Sequence, residues 1–145
     1  MLKRKMRYLV YAVPVLLFFA SCSIPNLEEP ACTDSRTEVR QFYSFHFGND
    51  MKPSAENLKQ REKFLTPELV KALSASNETA VDYFTATADY PKSFRIGECK
   101  AVSPAETEFQ VVLLWRDDKR SEQKEVAVKA VKQSDKWLIN KVLSK

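Results

Sequence analysis

From Ser93 to the end of the chain, apolar residues alternate with polar ones. The stretches "SFRIGECKAV", "ETEFQVVLLWR", "KEVAVKAVKQ" and "KWLINKVL" each put apolar side chains on one face, as the two-residue period of a strand requires. The connections between them, "SPA", "DDKRSEQ" and "SD", are too short for the crossover that a parallel neighbour needs. The strands therefore pair as an antiparallel meander. Upstream of Ser93 the apolar residues recur at helical spacing instead. Helices followed by a run of strands predict an α+β domain, with N-terminal helices packed on a curved antiparallel sheet of about four strands.

The helical half has three parts. Val39, Phe42, Tyr43 and His46 follow the i, i+3, i+4, i+7 spacing of one face, which predicts an amphipathic helix from about Asp34 to Phe47, capped by Thr33 or Asp34. Gly48, Asn49 and Pro53 end it. The charged stretch "AENLKQREKF" has only a thin apolar stripe and is expected on the surface. "LTPELVKALSAS" then marks a helix start, with Thr66 as cap, Pro67 in the first turn and Leu65 placed to staple against Val70. Leu69 and Leu73 are expected to face inward.

At the other end, Lys3, Arg4, Lys5 and Arg7 precede an uncharged apolar run from Tyr8 to Phe19, followed by Ala20, Ser21 and Cys22. This is the layout of a secretory signal. The run is 12 residues long and holds Pro14, whereas a spanning helix needs about 20 apolar residues. "FASC" resembles a bacterial lipobox, with Phe19 where Leu is usual. The resemblance implies a diacylglycerol on the Cys22 sulfur, cleavage just before it to remove residues 1–21, and an acylated new amino terminus. Several acyl chains supply the stable anchoring that one cannot. The alternative is a plain secreted protein with a coincidental cysteine. Residues 22–33, including "SIPNLEEPA", then read as a lipidated, extended tether to a domain over residues 34–145. Ser23, in place of aspartate, resembles the outer-membrane sorting pattern of enteric bacteria. The expected location is the bacterial cell envelope, on the outer membrane facing the periplasm rather than on the inner membrane.

Loss of residues 1–21 changes the charge that matters. Four of the 23 basic residues go with that head and no acidic one does, leaving 19 basic against 19 acidic. A near-neutral chain with interspersed signs does not fit a nucleic-acid partner. Gly48 and Gly97 are the only glycines, so no phosphate-cradling loop is available and no nucleotide cofactor is expected. A single histidine with scattered carboxylates offers no repeated metal-ligand spacing, and no metal is expected. Asp117, Asp118 and Asp135 sit where the chain must reverse, which is their simplest role. The lysines of "KEVAVKAVK" suit a half-exposed strand that discourages edge pairing.

The first-helix stretch "VRQFYSFHF", then "FLTPEL", "DYFTA", and Trp137, Ile139 and Val142 of the last strand together resemble the nuclear-transport-factor-2-like, or cystatin-like, superfamily over about residues 34–145. Within it, the likeness is to bacterial envelope lipoproteins and periplasmic proteins of unknown function. The resemblance implies a cone-shaped fold and an open-ended pocket between the sheet and the first helix. Some members are isomerases or dehydratases, many only bind or scaffold, and exposed sheet faces often pair, so a homodimer is one expectation. The candidate pocket residues here are Tyr43, His46, Asp82, Tyr83 and Tyr90, with Asp89 near the mouth. His46 beside Asp82 could do acid–base work near neutral pH. A lone histidine on an apolar helix face also serves as a hydrogen-bonded core residue. Without an assignable set of catalytic roles, the sequence favours a non-catalytic binding or accessory module for an envelope protein partner or a small apolar ligand. An isomerase or dehydratase using His46 with Asp82 is the alternative.

Two cysteines remain beside Cys22. In an oxidising compartment Cys32 and Cys99 are expected to bond, pinning the start of the first helix to the first strand. The other arrangement leaves Cys99 a buried thiol and Cys32 free in the tether.

Overall fold

The structure is a computed structural model and describes residues 27–76 and 80–145. Cys22, the apolar run before it and Asn77 lie outside the described residues. Among the described residues, no helix is long and apolar enough to cross a membrane.

Helix α1 spans Pro30–Phe47, α2 spans Ala55–Arg61 and continues as a 3-10 turn over Glu62–Phe64, and α3 spans Pro67–Ala75. Four strands follow: β1 (Ser93–Ser103), β2 (Glu106–Arg116), β3 (Ser121–Gln133) and β4 (Lys136–Ser144). They form one antiparallel sheet in the order β1-β2-β3-β4. The register shifts between Ile96 and Cys99 and between Lys129 and Ala130. Such bulges raise the local twist and bend the sheet.

Both hairpin turns flanking β3 rest on the aspartates expected there. The Asp117 carboxylate accepts the backbone N–H groups of Lys119 and Arg120 at 2.9 and 2.8 Å, which folds the β2–β3 turn back so tightly that Ser121 is already paired with Arg116. β3 thus starts inside what reads as a connection in the sequence. Between β3 and β4, Ser134 and Asp135 both adopt positive φ, 47° and 64°. Two central residues of positive φ are what a two-residue hairpin needs to match strand twist.

The sheet's inner face carries Phe109, Val111, Leu113 and Trp115 from β2, Val126, Val128 and Ala130 from β3, and Trp137, Ile139 and Val142 from β4, all buried. Val39, Phe42 and Tyr43 of α1 pack into it and are wholly inaccessible. Each such side chain contributes roughly 1.5–3 kcal/mol through burial, enough to hold α1 in place. Ser35, equally buried, meets Thr107 of β2 at 3.0 Å, so the polar atoms at this contact are satisfied.

Helix α1 begins at Pro30, earlier than the Asp34 start expected from Thr33 and Asp34 as caps. No side chain caps it, and Pro30 occupies the first turn, where its missing N–H costs nothing. The added turn buries Ala31 and Cys32. α3 starts as its signals specify: Thr66 Oγ1 accepts the Leu69 N–H at 3.2 Å, with Pro67 next. Leu69 is buried, whereas Leu73 is only partly so and faces the cavity described below.

Cys32 and Cys99 are joined by a disulfide, with Cα atoms 5.9 Å apart and a sequence separation of 67. The separation lies inside the usual bridging range. Closing a loop of that size is worth about 4 kcal/mol in the chain-entropy picture. Replacing both residues, Cys32→Ala with Cys99→Ala, should lower the urea unfolding free energy by about 2–4 kcal/mol; matching urea midpoints for the oxidised and reduced wild-type chain would show that the bridge does not stabilise the fold.

Candidate functional site

His46 lies one turn beyond Phe42 on the inward face of α1, stacked on the Phe42 ring with centroids 5.7 Å apart. It is 1% exposed. Its Nε2 is 2.8 Å from Asp82 Oδ2, and its Nδ1 is 2.8 Å from Nε of Arg61, a residue of α2 that is itself 2% exposed. An arginine nitrogen can only donate, so Nδ1 accepts. The imidazole is therefore the neutral tautomer with its proton on Nε2, donated to the Asp82 carboxylate. A proton added at Nδ1 would set two donors against each other.

Asp82 is held by its own loop. Its Oδ1 accepts the Phe84 N–H at 3.2 Å, and its Oδ2 accepts the Thr85 N–H at 3.1 Å and the Thr85 hydroxyl at 2.7 Å. The backbone closes the same turn through Asp82 N to Thr87 O and Ala86 N to Asp82 O, with Ala86 at φ 53°. At the far end of the chain of contacts, the Arg61 Nη atoms donate to the carbonyls of Asn57 and Asp50 at 2.7 and 2.8 Å. A buried cation on α2 is thus connected to a buried anion in the loop through one neutral ring on α1. Burial pushes the Arg61 guanidinium below its ordinary pKa, with Asp82 and Asp50 opposing the shift by their charge.

Sequence reasoning places His46 beside Asp82, and the structure brings them into contact. It misses Arg61, because a charged residue in a thin-striped helix reads as surface. The signal that could have found it is spacing: Arg61 sits at the C-terminal end of α2, where Leu58, three residues earlier, lies on the same inward stripe. The other candidates separate. Tyr43 is core, its hydroxyl donating to Phe84 O at 2.8 Å. Tyr83 turns its ring onto Phe84, and its hydroxyl accepts the Val142 N–H of β4 at 3.1 Å. Tyr90 and Asp89 stand at the opposite end of the loop, where Asp89 pairs with Arg120, and Arg120 lies 4.8 Å over the Trp115 ring.

The pocket itself is not where the resemblance implies. Between α1 and the sheet, the indentation beside Val39, Phe64, Ala130 and Trp137 is too tight for a water molecule. A cavity of about 280 Å³ opens on the helical side, among the α1–α2 loop, α2, α3 and the Val81–Phe84 segment. His46, Asp82, Tyr83 and Arg61 line it; Tyr43 and Tyr90 do not. A cluster of ligand-type atoms also occurs at Glu28, Cys32 and Cys99, within 4.8 Å of one another. Its sulfurs are spent on each other and its carboxylate on Arg36, so it offers a metal no free thiolate.

No protein-family model matches the chain, and no curated protein matches it in sequence. Solved structures do. A chain of the type VI native effector-immunity complex Tae3-Tai3 from Ralstonia pickettii superposes with a TM-score of 0.60 at 18% identity, covering 76% of this chain and 94% of that one. A protein of unknown function from Bacteroides thetaiotaomicron gives 0.51 at 16% identity over 76% and 88%. The fold, N-terminal helices against a curved, unclosed four-stranded antiparallel sheet, matches a nuclear-transport-factor-2-like cone. An Ntf2-like protein involved in plasmid conjugation is also similar, at 17% identity and a TM-score of 0.48, with 81% of this chain spanning 41% of that one. At such identities the likeness is one of fold and carries no chemistry. The nuclear-transport-factor-2-like cone here is unclosed, with β1 and β4 as its edges. The β4 edge is partly covered by Leu65, which bridges to Ile139, and by the Thr66 N–H, which donates to Ile139 O at 3.0 Å.

Two measurements check this description. Asp82→Ala leaves the His46 and Thr85 donors without their acceptor, and should cost about 3–5 kcal/mol in urea unfolding; Asp89→Ala, at an exposed pair, should leave the midpoint unchanged. Equal effects would mean that the buried chain is no more important than a surface pair. The second concerns alkali. Burial, reinforced by the Asp82 charge, raises the Tyr43 phenol well above 10.0. Below that unfolded value both states keep the proton; above it the unfolded chain loses it first, so stability declines as pH rises toward the folded value, by at most about 1.4 kcal/mol per unit. Tyr43→Phe should be about 1 kcal/mol less stable at neutral pH yet show a flatter decline above about pH 10.

Proposed function

We propose that the chain is a non-catalytic binding module, held at the bacterial cell envelope by lipid on Cys22 and engaging another envelope protein. The observation that carries the non-catalytic reading is the saturation of His46: one ring nitrogen accepts from Arg61 and the other faces Asp82. A general base needs a free nitrogen within reach of a substrate proton. Asp82 is likewise engaged on both oxygens. Support for a protein partner comes from the fold's likeness to a chain of an effector-immunity complex, an assembly of protein with protein. Support for the anchor comes from the basic head, the short apolar run and "FASC". The outer membrane, facing the periplasm, is the proposed site.

An isomerase or dehydratase of this fold is the second reading, favoured by one observation: His46 and Asp82 line the cavity together. It requires Arg61 to release Nδ1. A His46→Gln chain that folds and keeps its cellular role would eliminate it.

The binding reading has its own test. Mass analysis of protein extracted from its native membranes should give residues 22–145 plus acyl chains, less two hydrogens, in the outer-membrane fraction, and cross-linking in intact cells should capture one recurrent envelope protein. An unacylated or uncut chain removes the anchor. Capture of no recurrent protein removes the partner, and capture of a second copy alone replaces it with self-association.

A further inference from the structure

We propose that the cavity bounded by α2, α3 and the Val81–Phe84 segment takes a small organic carboxylate with a short hydrocarbon body, recognised by Arg61. Arg61 lines this cavity and is 2% exposed. A guanidinium has five N–H donors. Three are used, toward His46 Nδ1, Asn57 O and Asp50 O, and the other two have no acceptor among the described residues. Buried donors are almost always paired. None of the three acceptors carries a charge, and the nearest buried carboxylate, Asp82, is reached only through the His46 ring. A ligand carboxylate supplies what is missing, a negative charge and lone pairs in the planar arrangement that a guanidinium matches two bonds at a time.

The rest of the lining sets size and character. Met51, Leu58 and Leu73 provide an apolar wall. About 280 Å³ lies at the lower edge of the roughly 300–1,000 Å³ typical of small-molecule sites, so the hydrocarbon must be short. At the rim, Lys52 and Glu62 are both exposed and opposite in sign, and of the two buried charges in the lining the Asp82 carboxylate is already engaged on both oxygens by His46, Phe84 and Thr85. Burial lowers the Arg61 pKa even against the opposing charges of Asp82 and Asp50. A bare inorganic anion would satisfy Arg61 but leave the apolar wall uncovered.

This site deepens the binding reading and is tested apart from it, since cross-linking reports the protein partner whether or not the cavity binds anything. The full chain in detergent, carrying methyl-labelled methionine, is titrated with hexanoate and with its neutral isostere hexanamide, following the Met51 methyl resonance. Hexanoate should shift it saturably and bind about tenfold or more tightly than hexanamide, as expected for a charge-assisted pair. Arg61→Met should abolish that preference, and Ser74→Trp, an exposed lining position, should weaken both ligands by filling the mouth. Should Arg61→Met fail to fold, the acid–amide comparison on the unaltered chain decides alone. Equal affinity for acid and amide, no saturable shift at the solubility limit, or equally effective displacement by inorganic phosphate would each overturn the proposal.

Discussion

A guanidinium taken out of water must find acceptors, and around Arg61 they come from three separate stretches of chain. His46 belongs to α1, Asn57 to α2 itself, and the Asp50 carbonyl to the loop between them. Through His46 the contact runs on to Asp82, and Asp82 fixes the loop that leads into β1. The helical side of the cone is therefore tied together by a polar chain rather than by a second apolar core. Removing one member strands the others, whereas replacing the whole chain with well-packed apolar groups could be nearly neutral. That asymmetry makes each member difficult to substitute singly.

The apolar core does a different job. Phe42 and Tyr43 are wholly buried against the sheet, and the cavity lies beyond them, where His46 meets α2, α3 and the Val81–Phe84 segment. Phe84 joins the two regions: its ring meets both Phe42 and His46, at 4.8 and 5.2 Å, while its carbonyl accepts from Tyr43. Packing and polar contacts thus share one residue at the point where the loop touches the helix.

The meander was legible because alternation is a local property and the connections left no room for a crossover. The same holds for α3, whose cap and proline lie within a few residues of each other. What escaped was set by contacts distant in sequence. The early start of α1 follows from burial of Ala31 and Cys32 against the sheet, which no cap residue announces. Arg61 was assigned to the surface because its acceptors, His46 and the Asp50 carbonyl, come from outside its own helix. His46 with Asp82 could be foreseen as a pair, but its third member could not, and that member changes the pair's chemistry from available to engaged. The cavity's position is not legible for a related reason: side-chain volume decides it, and a fold likeness does not specify side-chain volume.

The disulfide has a mechanical meaning beyond its stabilising effect. Cys32 lies in the first turn of α1, and Cys99 in β1, an edge strand that is hydrogen-bonded along its length to β2. A pull on the chain ahead of Glu28 would otherwise peel α1 from the sheet turn by turn, beginning at an end with no side-chain cap. With the bridge in place the force passes through a covalent bond into β1, where many backbone hydrogen bonds resist it in parallel rather than one after another. Everything from Asp34 to Cys99, including the helical cavity, then lies inside a closed covalent loop that tension on the N-terminal segment does not stretch.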